Sequence, residues 1–142
     1  MQYQHLLVPV DFREPVGSAI EAAMEMAAQH RARTTLLYVI EAIDSVDEAD
    51  DEISHFYSDL EDSIRSKLAE IARRFEAVGL SVEREIVVGD QVRDIVHYSA
   101  TQSVDLIVMN SQRVDPNQPG HGVGTISHQV SVFCQCPVML IK

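Results

Sequence analysis

Apolar positions along the chain fall into two alternating patterns. "HLLVPV" (5–10), "TTLLYVI" (34–40), "VDLIVM" (104–109) and "PVMLIK" (137–142) are short, nearly continuous apolar runs, the mark of strands buried on both faces. "SVEREIVV" (81–88) is more polar at its start, which predicts a strand nearer a sheet edge. Between these runs the apolar residues recur every three or four positions. Ile20, Ala23, Met24 and Ala27 mark a first helix, with Pro15 where its first turn would begin. A second, long helix carries Ile53, Tyr57, Leu60, Ile64, Leu68, Ile71, Phe75 and Val78 and stops at Gly79. Asp90 is placed to cap a third helix bearing Val92, Ile95, Val96 and Ala100. A short fourth helix from about Thr125 would turn Ile126, Val130 and Phe133 inward.

Five strands alternating with four helices call for a single α/β domain over 1–142. Its sheet would be doubly wound, mainly parallel and Rossmann-like, with right-handed crossovers and helices on both faces. In such sheets ligands bind beyond the carboxyl ends of the strands, at the switch point. If the first and fourth strands are neighbours there, Asp11 faces the loop 110–124.

Length and composition agree with this reading. A chain of 142 residues with 46% hydrophobic residues can build a core without metals or disulfides. A formal charge of −11 argues against nucleic acid or an anionic membrane as partner. No apolar run approaches the roughly 20 residues of a span, and the N-terminus lacks a signal-peptide pattern, so a cytoplasmic protein is expected. Cys134 and Cys136, two apart beside Pro137, are badly placed for a disulfide and supply half a zinc site. They are expected to be reduced core residues.

The loop "MNSQRVDPNQPGHGVGTIS" (109–127) is the candidate for chemistry. Gly120, Gly122 and Gly124 match neither the dinucleotide fingerprint nor a P-loop. One reading is a simple Gly/Pro/Asn turn; the other is that Gly124, Thr125 and Ile126 offer N–H groups to an anion at a helix start.

The chain also resembles the universal stress protein family, through "LLVPVDF", "LLYVIE", "VVGDQVRDIVHYSATQSVDLIVM" and "GTISHQV…CPVMLIK". The resemblance implies strand order 3-2-1-4-5. It also implies a stress-response regulator, and a homodimer formed through the last strand, where Val138 and Leu140 lie. In the family's nucleotide-binding members, Gly-x-x-Gly, nine residues and Gly-Ser/Thr surround the phosphates of ATP, with Mg²⁺. Here Asn110 and Arg113 stand at the first two glycine positions, and ten residues precede Gly124-Thr125. The phosphate loop is therefore degenerate. By the same resemblance Asp11 would contact the nucleoside, Pro9 and Val39 would line the adenine pocket, and Met109 and Asn110 would be adjacent wall. Asp11 could instead cap a turn. Arg113 has three readings: a phosphate clamp, a plug, or a surface partner of Asp115.

Two functions follow. One is a dimeric regulator that binds ATP or another adenine nucleotide; the alternative is a nucleotide-free dimeric interaction module. No enzyme is expected, since no nucleophile elbow is present and a receiver domain would need a Lys where only the terminal Lys142 stands. The acidic run 44–62 lacks the spacing of a Ca²⁺ loop and reads as a solvated face or flap. The six histidines show no metal-ligand spacing.

Overall fold

In the computed structural model, residues 2–12, 17–42, 51–111, 117 and 125–142 are described. The elements are β1 (His5–Pro9), α1 (Gly17–His30), β2 (Arg33–Glu41), α2 (Asp51–Ala77), β3 (Val82–Gly89), α3 (Gln91–Thr101), β4 (Leu106–Asn110), α4 (Ile126–Phe133) and β5 (Val138–Ile141). The strands form one sheet in the order β3-β2-β1-β4-β5, and every pairing is parallel. The expected α/β architecture and the strand order implied by the resemblance are both observed.

Burial along each strand follows its place in the sheet. Central β1 and β4 bury their first four residues, whereas β3 at one edge has only half-buried and exposed positions. Because side chains alternate faces, the sheet separates two cores. Leu6, Val8 and Leu36 meet Ile20 and Ala23 of α1 and Leu68 and Phe75 of α2. On the other face Leu7, Leu37 and Ile107 meet Ile95 of α3 and Val130 of α4.

Local signals end the helices where the sequence suggests. Gly79 takes a left-handed φ of 78°. The N–H groups of Gly79 and Leu80 then bond the carbonyls of Glu76 and Phe75, a Schellman closure that only a residue tolerant of positive φ makes cheaply. At α3, the Asp90 carboxylate accepts from Arg93 N, and Asp94 accepts from Asp90 N, both at 2.8 Å.

Three expectations about inward faces need correction. Val78 lies one residue past α2 and is 62% exposed. Phe133 is 59% exposed, because α4 packs on α3 and meets the second core through Val130, and among the described residues nothing covers its last turn. In α3 the buried positions are Ile95 and Ser99, while Ala100 faces solvent. Strand β4 also starts at Leu106 and not at Val104. The Asp105 carboxylate is occupied in accepting from the N–H groups of Gln4 and His5 at 2.8 and 3.0 Å. Cys134 and Cys136 are free thiols, half-buried against the second core. Burial, and next the neighbouring Cys134, push the Cys136 thiol up to about 11, so it is not a ready nucleophile.

Candidate functional site

The chain leaves β1 toward β2 and returns from β3 to β4 on the other side of β1. The carboxyl ends of β1 and β4 therefore part at the switch point, where a doubly wound sheet opens a crevice. A cavity of about 310 Å³ lies there, within the range of small-molecule sites. Its floor comes from Pro9, Val10 and Asp11 after β1, from Leu37 to Glu41 on β2, and from Met109 and Asn110 on β4. Phe56, Tyr57 and Leu60 of α2, Gln91 and Ile95 of α3, and Ile126 and Ser127 of α4 complete it.

The loop that carries Asp11 is braced from the side. The Phe12 ring stacks on Tyr38 at 5.5 Å and 20°, and Lys67 Nζ of α2 lies 5.2 Å from the Phe12 ring centre. Each contact of this kind contributes about 0.5–1 kcal/mol near a surface. Val10 N donates to Leu37 O at 2.9 Å, which continues the β1–β2 pairing one residue past the strand. Asp11 is thus held at the crevice by β2 and α2 together.

The chemistry of the walls is divided. Leu37, Val39, Ile40, Ile95 and Met109 give an apolar body suited to a flat heterocycle. The carboxylates of Asp11 and Glu41 and the amides of Gln91 and Asn110 supply polar groups. On the α4 side, Thr125 caps the helix, its Oγ1 accepting from His128 N at 3.3 Å. The first N–H groups of an α-helix lack intrahelical acceptors. Ile126 and Ser127, which carry two of them, line the cavity. A helix start of this kind favours an anion by about 0.3–1 kcal/mol, at most about 2.

Of the residues singled out in the sequence, Pro9, Asp11, Val39, Met109, Asn110 and Ile126 all line the cavity. Thr125 sits beside it as the cap of α4. Arg113 and Gly124 lie outside the described residues. Val138 and Leu140 are elsewhere, half-buried on β5, which pairs with β4 alone at the sheet edge. The sequence reading missed Phe56, Tyr57 and Leu60 as pocket residues, along with Tyr38, Glu41 and Gln91. Tyr57 and Leu60 were legible only as helix stripe, and Phe56 falls off that stripe.

Other candidates resolve into structure. His5 is 2% exposed; its Nδ1 lies 2.9 Å from Gln102 O and its Nε2 2.8 Å from Thr35 Oγ1. A carbonyl only accepts, so Nδ1 carries the proton and Nε2 accepts from the threonine hydroxyl. Burial, the largest influence, lowers the imidazole below its ordinary 6.5, against the bond to Gln102. Among the described residues no group of three or more His, Cys, Asp or Glu could hold a metal ion. None of the described helices is long and apolar enough to cross a membrane. The described part of the acidic run, 51–62, forms the start of α2, where Glu61 and Asp62 pair with exposed Arg65 at 2.7 and 3.2 Å, contacts of small energetic weight.

Comparison with known proteins agrees with this architecture. The model of the Universal stress protein family matches residues 2–142. Universal stress protein UspA from Lactobacillus plantarum has a similar structure, with a TM-score of 0.79 at 26% identity over 100% of this chain and 99% of that one. A universal stress protein solved in complex with cAMP gives 0.71 at 20% identity, covering 100% and 98%. The universal stress protein from Archaeoglobus fulgidus in complex with dAMP gives 0.67 at 19%, covering all of both chains. With the family model matched across nearly the whole length and the sheet order and switch-point crevice in place, the chain belongs to the universal stress protein family.

Proposed function

We propose that this protein is a dimeric binding protein of the stress response that takes an adenine nucleotide in the switch-point cavity and acts through binding, without turnover. The observation that carries the reading is a single cavity wall that pairs an apolar slot at the ends of β2 and β4 with the start of α4. Two similar folds are described in complex with cAMP and dAMP, which supports an adenine nucleotide as the ligand class.

The energetics favour a base-dominated ligand. Micromolar binding requires about 8 kcal/mol, and the α4 start contributes at most about 2. Burying about 200 Å² of a planar base adds about 5 kcal/mol, and one or two hydrogen bonds to charged groups such as Asp11 contribute about 1.5–3 each. Together these contributions must also offset the cost of immobilising the ligand. ATP with Mg²⁺, AMP and cAMP have in common the adenine base, whose burial is the largest single contribution.

Dimerisation is assigned to the free edge of β5, with Val138 and Leu140 on that strand and the exposed Val132 and Phe133 of α4 nearby in sequence. The test titrates ATP with Mg²⁺, AMP and cAMP by calorimetry and follows the melting temperature. A ligand at 100 times its Kd raises stability by about 2.7 kcal/mol, a shift of roughly 10 °C. Absence of heat and of any shift at millimolar nucleotide, with the dimer intact by sedimentation, would overturn nucleotide binding. It would leave the alternative, a nucleotide-free dimeric interaction module.

A further inference from the structure

Phe56 is the anomaly in the cavity wall. It lies on the second turn of α2, lines the cavity, and is nonetheless 55% exposed. The helix stripe that buries α2 runs through Ile64, Leu68, Ile71, Ala72 and Phe75, so Phe56 contributes little to the core. Its ring meets Tyr57 edge-on at 5.9 Å and 67°, and Tyr57 is a half-buried wall residue. The pair is an aromatic corner at the rim, one ring fixed in the wall and the other with an uncovered face.

We infer that Phe56, steadied by Tyr57, is the stacking platform that closes over the base of the ligand and selects a planar aromatic ring. The inference deepens the nucleotide-binding reading and rests on it. Charge fixes the direction in which the ligand lies. Glu41 lines the β2 side of the cavity, and Asp51, Glu52 and Asp59 are exposed on the same turns of α2 as Phe56. A phosphate is repelled from that side and favoured at the start of α4. The neutral base therefore occupies the α2 side, under the aromatic corner, where stacking is tolerant of hydrogen-bond pattern because every base has a π-face. Folding alone leaves that Phe56 face in water, and a stacked base covers it.

The test uses AMP as probe with the full chain and three substitutions. Phe56→Ala is expected to raise the Kd for AMP about tenfold, within the range for losing one stacked base. Phe56→Leu, which keeps apolar bulk without a π-face, should recover part of that loss. Phe56→Trp should bind at least as tightly as the wild type. Since the chain has no tryptophan of its own, indole fluorescence then reports the site alone, and AMP should quench it. Melting temperatures should stay within 1–2 °C of wild type, roughly the effect of a surface change, which separates lost stacking from lost folding. Wild-type binding of AMP with Phe56→Ala unchanged within about twofold, or Phe56→Trp binding without quenching, overturns the platform and leaves the nucleotide site standing. No binding of AMP by the wild type overturns both.

Discussion

Two adjacent threonines on β2 should respond in opposite directions to the same substitution. Thr34 and Thr35 are both fully buried, and consecutive strand residues point to opposite faces. On the face of α1 and α2, Thr34 Oγ1 has no hydrogen-bond partner among the described residues. On the other face, Thr35 Oγ1 meets His5 Nε2 at 2.8 Å. Valine keeps the β-branch and exchanges the hydroxyl for a methyl. At Thr34 it removes an unpaired buried polar group, whose desolvation costs about 1–3 kcal/mol, and adds a buried methyl of about 0.8. Thr34→Val should therefore stabilise by at least about 1 kcal/mol. At Thr35 the same change deletes a paired hydroxyl, about 1 kcal/mol net, and strands a buried imidazole nitrogen for about 1–3 more. Thr35→Val should cost about 2–4 kcal/mol. Urea unfolding measures both as shifts of the midpoint at unchanged m, with melting temperatures moving by about 4 °C per kcal/mol. Shifts of the same sign in the two variants would refute the hydrogen-bond assignment.

Two further outcomes follow from named contacts. His5 is held neutral in the fold, first by burial and with a lesser push from Arg33, while the Gln102 carbonyl, Glu83 and Asp105 act the other way. Its folded pKa is below 6.5, so between the two values the unfolded chain binds more protons and stability rises with pH. The contribution is whole above about pH 6.5 and drains away below it, by up to about 1.4 kcal/mol per pH unit, until the folded pKa is passed; equal pH slopes for wild type and His5→Gln would contradict it. At the β3–α3 turn, a Cβ on Gly89 collides with the Asp94 carboxylate that accepts from Asp90 N. Gly89→Ala should cost about 1 kcal/mol, the value of a helix cap, and should be nearly neutral in an Asp94→Ala background, a coupling that a double-mutant cycle reads directly.

What the sequence made legible is whatever local chemistry decides. Four apolar runs and the more polar 81–88 placed the five strands, the stripe from Ile53 to Phe75 placed α2, and Gly79, Asp90 and Thr125 marked helix ends because each terminus must satisfy its own backbone groups. Phe133 misled, since a helical step says which residues share a face and not whether a second layer exists to cover that face. Asp105 misled in the same way: its place in an apolar run suggested strand, while its carboxylate serves the N–H groups of Gln4 and His5, at the start of β1, across about 100 residues of sequence. The candidate site divided similarly. Pro9, Asp11, Val39, Met109, Asn110 and Ile126 could be placed because they sit at strand or helix ends of a recognisable topology. Phe56 and Gln91 could not, because only the packing of α2 and α3 brings them to the crevice, and nothing in their own spacing records that.

The two ends of the sheet do different jobs, and the parallel topology is the reason. At the amino ends of β1 and β2, a chain of bonds from Gln102 O through His5 and Thr35 joins the loop after α3 to two strands. The Asp105 carboxylate closes the same end by taking the N–H groups of Gln4 and His5. At the carboxyl ends the chain departs from β1 and β4 in opposite senses, so the crevice stays open and is lined by side chains with unspent surface, Phe56 above all. Pro9 lies four residue steps along β1 from His5, about 13 Å at 3.3 Å per residue. At that spacing, and with no shared partner between them, energetic effects add rather than couple. Substitutions at the closed end therefore act on stability and its pH dependence, whereas those at the open end act on ligand affinity. The fold can vary the rim of its cavity, aromatic corner included, without loosening the end that holds it together.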